Sequence, residues 1–266
     1  MAALPSPGQQ TLKRYVIVGG EAELLLLLHI FPEGVEELDG AFAVYADEPP
    51  IGFDVVCADD VDEDWAENWR SFHHGVQVGR FWVGPPWEAP QAIPGFRPGA
   101  GGSAAGASSP WEVIVIDPGR AFGTGAHPTT RLTLELLQEV EPGSLLDIGC
   151  GSGVLSIAAA KLGFGPVIGI DVDEAAVQAT RENAAANGVD VEARRADAFV
   201  DELPRTDVAL ANVALDVVER LLPRLSCETV ITSGYLARDR PEVEGWAFAA
   251  RREVDGWAAD LLTLQP

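Results

Sequence analysis

Residues 147–153 read DIGCGSG, and the stretch before them, residues 116–146, reads IDPGRAFGTGAHPTTRLTLELLQEVEPGSLL. Leu145 to Ile148 has the apolar character of a buried strand, and Val154 to Leu162 that of a helix. A glycine turn between strand and helix lets the chain reverse tightly and lets a ligand approach the backbone, because a Cβ would intrude. In an open α/β sheet that approach comes from beyond the carboxyl ends of the strands. Asp171 ends the next apolar run, Val167 to Ile170, and lies 22 residues after Gly149. A carboxylate at that point accepts ribose hydroxyls in dinucleotide sites. The glycines Gly149, Gly151 and Gly153 are spaced G-x-G-x-G, not G-x-G-x-x-G, since Val154 stands where the third glycine of the dinucleotide fingerprint would be.

Upstream lies a second glycine loop, 119-GRAFGTGAHPTT-130. It presents Phe122 and hydroxyl groups where the helix expected over Thr130 to Val140 begins. Two such loops so close together suggest one site covered from two sides. Thr129 or Thr130 is expected to cap that helix, with the alternative that its hydroxyl faces the ligand. His127 reads as structural rather than as a base. Downstream, Asn212 closes the run Asp207 to Ala211. An asparagine at a strand's carboxyl end faces the site, where its amide oxygen can accept from an incoming amine or from the cofactor.

Around this centre, strand and helix alternate. Beyond the strands at 145–148 and 167–170, further strands are expected over Glu112 to Ile116, Val191 to Arg194, Asp207 to Ala211 and Thr229 to Thr232. Helices are expected over Asp173 to Asn187, capped by Asp173 and closed by Gly188, and over Leu215 to Leu222. Alternation of this kind predicts a mostly parallel, doubly wound α/β sheet. Asp255-Gly256 between Ala249 to Val254 and Trp257 to Leu264 is a two-residue hairpin signal, so an antiparallel pair should lie at one sheet edge.

The amino-terminal part reads differently. Arg14 to Val18, Ala41 to Tyr45 and Asp54 to Cys57 are strand candidates, with a short apolar helix over Glu21 to Phe31. They suggest a small α+β, ferredoxin-like module. Asp62-Glu63-Asp64 starts a helix carrying Trp65, Trp69 and Phe72 on one face as packing residues. Arg80 to Val83 could be a strand, and RPGAGGSAAGASSP at 97–110 is a Gly/Ala/Ser linker. The expected division is residues 1–61, a small recognition domain; 62–110, connecting helix and linker; and 111–266, the ligand-binding domain.

Composition bounds the function. Of 266 residues 47% are hydrophobic, enough for a packed core. The formal charge of −23, from 41 acidic and 18 basic residues, argues against direct nucleic-acid binding. It suits a basic protein partner, or simply solubility. Cys57, Cys150 and Cys227 have no metal-ligand spacing and no disulfide framework, which fits a reducing cytoplasm. No apolar run is long enough to span a bilayer and no secretory leader is evident. The oligomeric state is not readable.

The combination of DIGCGSG and Asp171 resembles the class I S-adenosylmethionine-dependent methyltransferases. That resemblance implies a Rossmann-like sheet with Gly149, Gly151 and Gly153 under the methionine and ribose, Asp147 leading the loop, Asp171 holding the ribose, and Asp197-Ala198 flanking the adenine. The absence of Pro-Pro-Tyr or Pro-Pro-Phe after Asn212 argues against the enzymes that methylate glutamine amides and exocyclic base amines. AFGTGAHPTT, DIGCGSG, GIDVD (169–173) and ANV (211–213), in this order, and more weakly SGYL (233–236), resemble the PrmA family of bacterial lysine methyltransferases acting on ribosomal protein L-eleven. The family resemblance implies protein amine methylation with S-adenosylmethionine as cofactor and no metal. It implies cofactor contacts from Phe122, Thr129, Thr130 and Asn212, and catalytic roles for Asn212 and Thr130. The competing readings are methylation of another protein or a small molecule, and a non-catalytic S-adenosylmethionine-binding protein.

Overall fold

The computed structural model describes residues 13–20, 27, 35–38, 40–46, 49–60, 74–88, 112–117 and 125–265. They fall into two compact units, Met1–Phe72 and His73–Pro266.

In the first unit β1 (Lys13–Val18), β2 (Glu36–Leu38), β3 (Ala41–Ala46) and β4 (Val55–Asp60) form an antiparallel sheet in the order β2-β3-β1-β4. Alternate residues of β1 and β3, Tyr15, Ile17, Phe42 and Val44, turn to one face and pack with Leu27 into a small core. Leu27, helical and fully buried, falls within the helix expected over Glu21 to Phe31; the rest of that segment lies outside the described residues, as does the tryptophan-bearing segment 62–72. The three-residue β2 was not foreseen.

The second unit holds two sheets. In the smaller, β5 (Val76–Val78) and β6 (Phe81–Gly84) form a hairpin, and β7 (Glu112–Val115) runs parallel to β6. Phe81, Val83 and Ile114 are fully buried and join the main core. Part of the segment expected to be connector therefore packs as strand within this unit.

The larger sheet contains β8 (Leu145–Ile148), β9 (Val167–Asp171), β10 (Glu192–Arg195), β11 (Val208–Asn212), β12 (Thr229–Leu236), β13 (Trp246–Val254) and β14 (Trp257–Leu264). Its order is β10-β9-β8-β11-β12-β14-β13, parallel as far as β12, with β14 and β13 antiparallel at the edge. Helices α1 (Pro128–Leu137), α2 (Val154–Leu162), α3 (Glu174–Ala186) and α4 (Leu215–Leu221) connect and cover it. Successive residues of β11 serve opposite faces: Val208 and Leu210 enter the core with α1 and α2, while Ala209 and Ala211 enter the one with α4. At the amino ends of β8 and β11, one carboxylate oxygen of Asp207 accepts from the Ser144 N–H and hydroxyl, each at 2.7 Å, pinning two segments far apart in sequence.

The edge hairpin turns as its sequence requires. Asp255 and Gly256 both have positive φ, +51° and +79°, the type I′ geometry that matches strand twist. β12 is twice as long as expected and continues through Ser233 to Leu236. A bulge between Ser233 and Tyr235 against β14 makes this possible, and Gly234 sits there at φ +100°. A Cβ on Gly234 would lie 2.7 Å from the Val213 carbonyl carbon and 2.9 Å from its nitrogen.

Helix α1 departs from expectation at its start. The cap is His127, not a threonine: its Nδ1 accepts from the Thr129 N–H at 3.3 Å and lies 2.8 Å from Thr129 Oγ1. The imidazole meets the Trp257 ring edge-on, with centroids 4.9 Å apart. This apolar setting pushes its pKa down to about 4 by desolvation, so the ring is neutral and can act as acceptor. Thr129, Thr130 and Thr133 are buried along with Leu132, Leu134, Leu136 and Leu137, so α1 is enclosed on most sides.

Two measurements check this account. Gly234→Ala is expected to cost roughly 3–5 kcal/mol in urea unfolding, since both φ and space forbid the methyl. Gly188→Ala, at φ +66° after α3 with open space around it, should cost only about 1 kcal/mol. For His127, the unfolded chain binds the proton more tightly, so the native state loses stability as pH falls below 6.5 towards 4. Relative to His127→Asn, which keeps a capping acceptor, the wild-type chain should lose on the order of 2 kcal/mol across that interval. Parallel pH profiles for the two proteins would refute the burial of a neutral imidazole.

Candidate functional site

Strand order reverses between β8 and β11. From β8 the chain winds outward through β9 and β10, then returns to the other side of β8 as β11. The connections after these two strands diverge and leave a crevice at their carboxyl ends, the usual ligand position in such sheets. Gly149, Gly151, Asp171 and Asn212 lie at the carboxyl ends of these strands or in the turns that follow them, whereas Asp147 is buried behind the loop. Phe122 lies outside the described residues.

The loop 149–153 is held against β9 by two amides on one acceptor: Gly149 N–H and Cys150 N–H donate to Ile170 O at 2.8 and 3.0 Å. Gly149, Gly151 and Gly153 all have positive φ, at +73°, +53° and +83°. A Cβ on Gly149 would press on Val213 Cγ1 at 3.0 Å, across the crevice, and one on Gly153 would meet the Thr180 backbone at 3.0 Å. Gly153 caps α2 in the left-handed conformation without a side chain, so the start of that helix is carried by bare backbone.

Asp171 is aimed by backbone. Its Oδ2 accepts from Gly151 N–H at 3.1 Å and its Oδ1 from Asp173 N–H at 3.0 Å. A carboxylate offers about four acceptor positions; with one N–H on each oxygen, lone pairs remain for a diol. Ala196 N–H donates to Asp171 O at 2.9 Å, bringing Asp197 and Ala198 to the same rim. One oxygen of Asp197 accepts from Phe199 N–H at 2.8 Å and stabilises its own turn, while buried Ala198 gives its carbonyl to Arg224 Nε at 2.8 Å.

Asp147 occupies a different place from its neighbours. It is 1% exposed, on the α2 side of β8, and its Oδ2 accepts from Ser156 Oγ at 2.6 Å. Its Oδ1 is buried without a hydrogen-bond partner. Burial, reinforced by the nearby Asp171 charge and opposed by the Ser156 hydrogen bond, pushes its pKa up to about 6. Asp147 therefore supports the loop from beneath. Burial similarly raises the Cys150 thiol to about 12 and leaves it protonated and inert.

Across the crevice the structure brings together Asn212 and Thr130, the two residues expected to be catalytic. Asn212 Nδ2 reaches Thr130 Oγ1 at a long 3.5 Å. Val213 N–H donates to Ser233 O at 2.9 Å, so the backbone beside Asn212 is fixed by the bulged part of β12. Thr129, also expected to touch the ligand, has its hydroxyl at the His127 ring.

Sequence reasoning missed the supports on α3. Thr180 Oγ1 donates to Gly151 O at 2.9 Å, and Asn183 Nδ2 donates to Ser152 O at 2.9 Å. Their spacing on one helical face was the available signal, but polar side chains on a helix ordinarily mark the solvent side. Among the described residues no group of three or more His, Cys, Asp or Glu could hold a metal, and no helix is long and apolar enough to cross a membrane.

Comparison with known proteins agrees with this geometry. Residues 45–258 match the family model described as ribosomal protein L11 methyltransferase (PrmA). A ribosomal protein L11 methyltransferase of Caldanaerobacter subterraneus subsp. tengcongensis is 40% identical over 190 residues, covering 68% of this chain and 56% of the relative. One from Geobacter sulfurreducens is 41% identical over 194 residues, covering 70% and 59%. The crystal structure of a ribosomal protein L11 methylase from Lactobacillus delbrueckii subsp. bulgaricus matches with a TM-score of 0.59 at 28% identity, over 73% of this chain and all of that one. The chain spans about half to three-fifths of the length of the curated relatives it matches, 49% to 60%. With the family model matched over most of its length, the chain belongs to the ribosomal protein L11 methyltransferase (PrmA) family.

Proposed function

We propose that the chain transfers a methyl group from S-adenosylmethionine to an amine of ribosomal protein L11, a basic protein met in the bacterial cytoplasm. The observation that carries this reading is the facing of two constellations across the crevice: the glycine loop with its backbone-aimed Asp171, and the Asn212–Thr130 pair. The crevice residues fit the cofactor. Asp171 retains acceptor capacity for ribose hydroxyls, and the left-handed glycines bring bare backbone to the mouth of the crevice beside it. Asp197 and Ala198, beside Asp171 through the Ala196 N–H, are assigned to flank the adenine. The small four-stranded unit, with residues 1–61, is assigned to substrate recognition, and the catalytic unit is extended from the expected 111–266 to include the β5–β6 hairpin at residues 76–84.

When bound, the cofactor supplies an electrophilic methyl on a sulfonium. The new N–C bond forms as the S–C bond breaks, and the amine's surplus proton leaves to solvent. The chain's own residues have three tasks. They hold the two reactants in line, which can be worth an effective concentration of about 10⁵ M or more. They keep the amine neutral, because a water-poor pocket lowers an ammonium pKa. They orient its lone pair: with Nδ2 turned towards Thr130, the Asn212 Oδ1 is free to accept from the amine N–H. No dedicated base is required. The acidic surface, at a formal charge of −23, attracts a cationic partner over distance.

The test is to incubate the chain with methyl-labelled S-adenosylmethionine and ribosomal protein L11 and follow the product by mass spectrometry. Label on L11 is the expected result. Label only on other proteins or small molecules would replace the substrate assignment, and cofactor binding without turnover would leave a non-catalytic binder. Asp171→Ala is expected to weaken S-adenosylhomocysteine binding roughly 10–100-fold in calorimetry, the loss of hydrogen bonds to a charged group. Asn212→Ala should instead lower kcat about 100-fold with a much smaller change in that affinity. An unchanged kcat would remove Asn212 from the mechanism.

A further inference from the structure

Among the described residues no strand pairs with one edge of β7, and the way α3 closes it points beyond the site itself. In a strand the N–H and C=O of alternate residues point to the same edge. Glu112 N–H and Ile116 N–H donate to the β6 hairpin, at Arg80 O and Gly84 O. Val115 and Asp117 therefore face away from β6, towards α3. There the backbone is met by two side-chain amides. Asn187, the residue capping the carboxyl end of α3, accepts from Val115 N–H at 2.9 Å and donates to Val115 O at 2.6 Å, imitating one residue of a neighbouring strand. Asn183, one turn earlier, accepts from Asp117 N–H at 3.0 Å. Four residues of helix advance about 6 Å and two residues of strand about 6.6 Å. The i, i+4 spacing of the asparagines thus matches the two-residue repeat of the strand edge.

Asn183 does something Asn187 does not. Only 4% exposed, it spends its amide on two segments at once: Oδ1 on Asp117 N–H, and Nδ2 on Ser152 O in the glycine loop. One rigid, planar group therefore joins the cofactor loop to the last residue described before the 119–130 glycine stretch. A shift of either segment therefore changes the energy of an amide that the other segment also holds.

We propose that Asn183, seated by Asn187, is a positioning residue that couples the glycine loop to the end of β7, so that filling the loop 149–153 orders residues 112–117 and the reverse. The proposal rests on the reading that this loop receives the cofactor. Coupling of this kind is reciprocal, because each segment changes the free energy of the same two hydrogen bonds. Asn183→Asp separates the two ends: it keeps an acceptor for Asp117 N–H but sets a carboxylate oxygen against Ser152 O.

Amide hydrogen exchange on the full chain, with and without S-adenosylhomocysteine, tests the coupling. In the wild-type chain the ligand is expected to slow exchange in both 149–153 and 112–117. In Asn183→Asp it should slow only 149–153, with affinity by calorimetry lowered roughly 3–10-fold. If the variant fails to fold, Asn183→Ala serves instead: it removes both the Asp117 and the Ser152 hydrogen bonds and should likewise lose the ligand-induced slowing at 112–117. Slowing at 112–117 that persists undiminished in the folded variant, or that is absent from a wild-type chain binding the ligand, overturns the coupling. Absence of any calorimetric binding to the wild-type chain overturns the cofactor reading itself, and the proposal with it.

Discussion

Two amides on one carbonyl hold this site together. Gly149 and Cys150 both donate to Ile170 O, and this is possible only because the chain turns through left-handed glycines at the end of β8. From that turn follow the start of α2 at Gly153, the contact of Gly151 with the Asp171 carboxylate, and the close approach of Gly149 to Val213. Side chains at these glycines would not merely narrow the site. They would push the turn off Ile170 and unseat Asp171 with it.

A layer of buried polar groups lies behind the loop, and its members differ in what they can tolerate. Thr180 and Asn183 are fully engaged, so they stiffen the loop at little desolvation cost. Asp147 is not: one oxygen bonds to Ser156 and the other has no hydrogen-bond partner. Its raised pKa means that the proton is held more tightly in the folded chain than in the unfolded one. Its stabilising contribution is therefore complete at low pH and is lost as pH rises through about 6. His127 runs the other way, contributing stability that is present above 6.5 and lost on acidification. The two opposed slopes meet around the candidate site, one beside each glycine loop.

Much of the larger sheet was legible because its signals are local. Apolar runs mark β8, β9 and β11, Asp173 and Gly188 bracket α3, and Asp255-Gly256 turns the edge hairpin. What escaped depends on contacts that sequence does not place side by side. The second half of β12 hides behind Ser233-Gly234, which breaks the apolar pattern because the strand bulges there against Val213. The cap of α1 is a histidine, outside the usual capping residues, and works because Trp257, 130 residues later, keeps the ring dry and neutral. Asn183 and Asn187 look like a solvent face until β7 is laid along them. The places of Asp171 and Asn212 at strand ends, and of Thr130 in the first turn of α1, were readable. The buried side of Asp147 was not, since strand periodicity alone does not say which face a helix will cover.

The clamp between Ser144 and Asp207 carries a consequence for how the molecule comes into being. β8, β9 and β10 are consecutive and can pair as they leave the ribosome, but the crevice has no second wall until β11 arrives and docks on β8 beside that clamp. Closing so long a segment is entropically slow compared with forming its helices. During synthesis, then, the half-sheet with its glycine turn precedes the crevice. Asn212, at the end of β11, arrives with the strand that supplies the second wall.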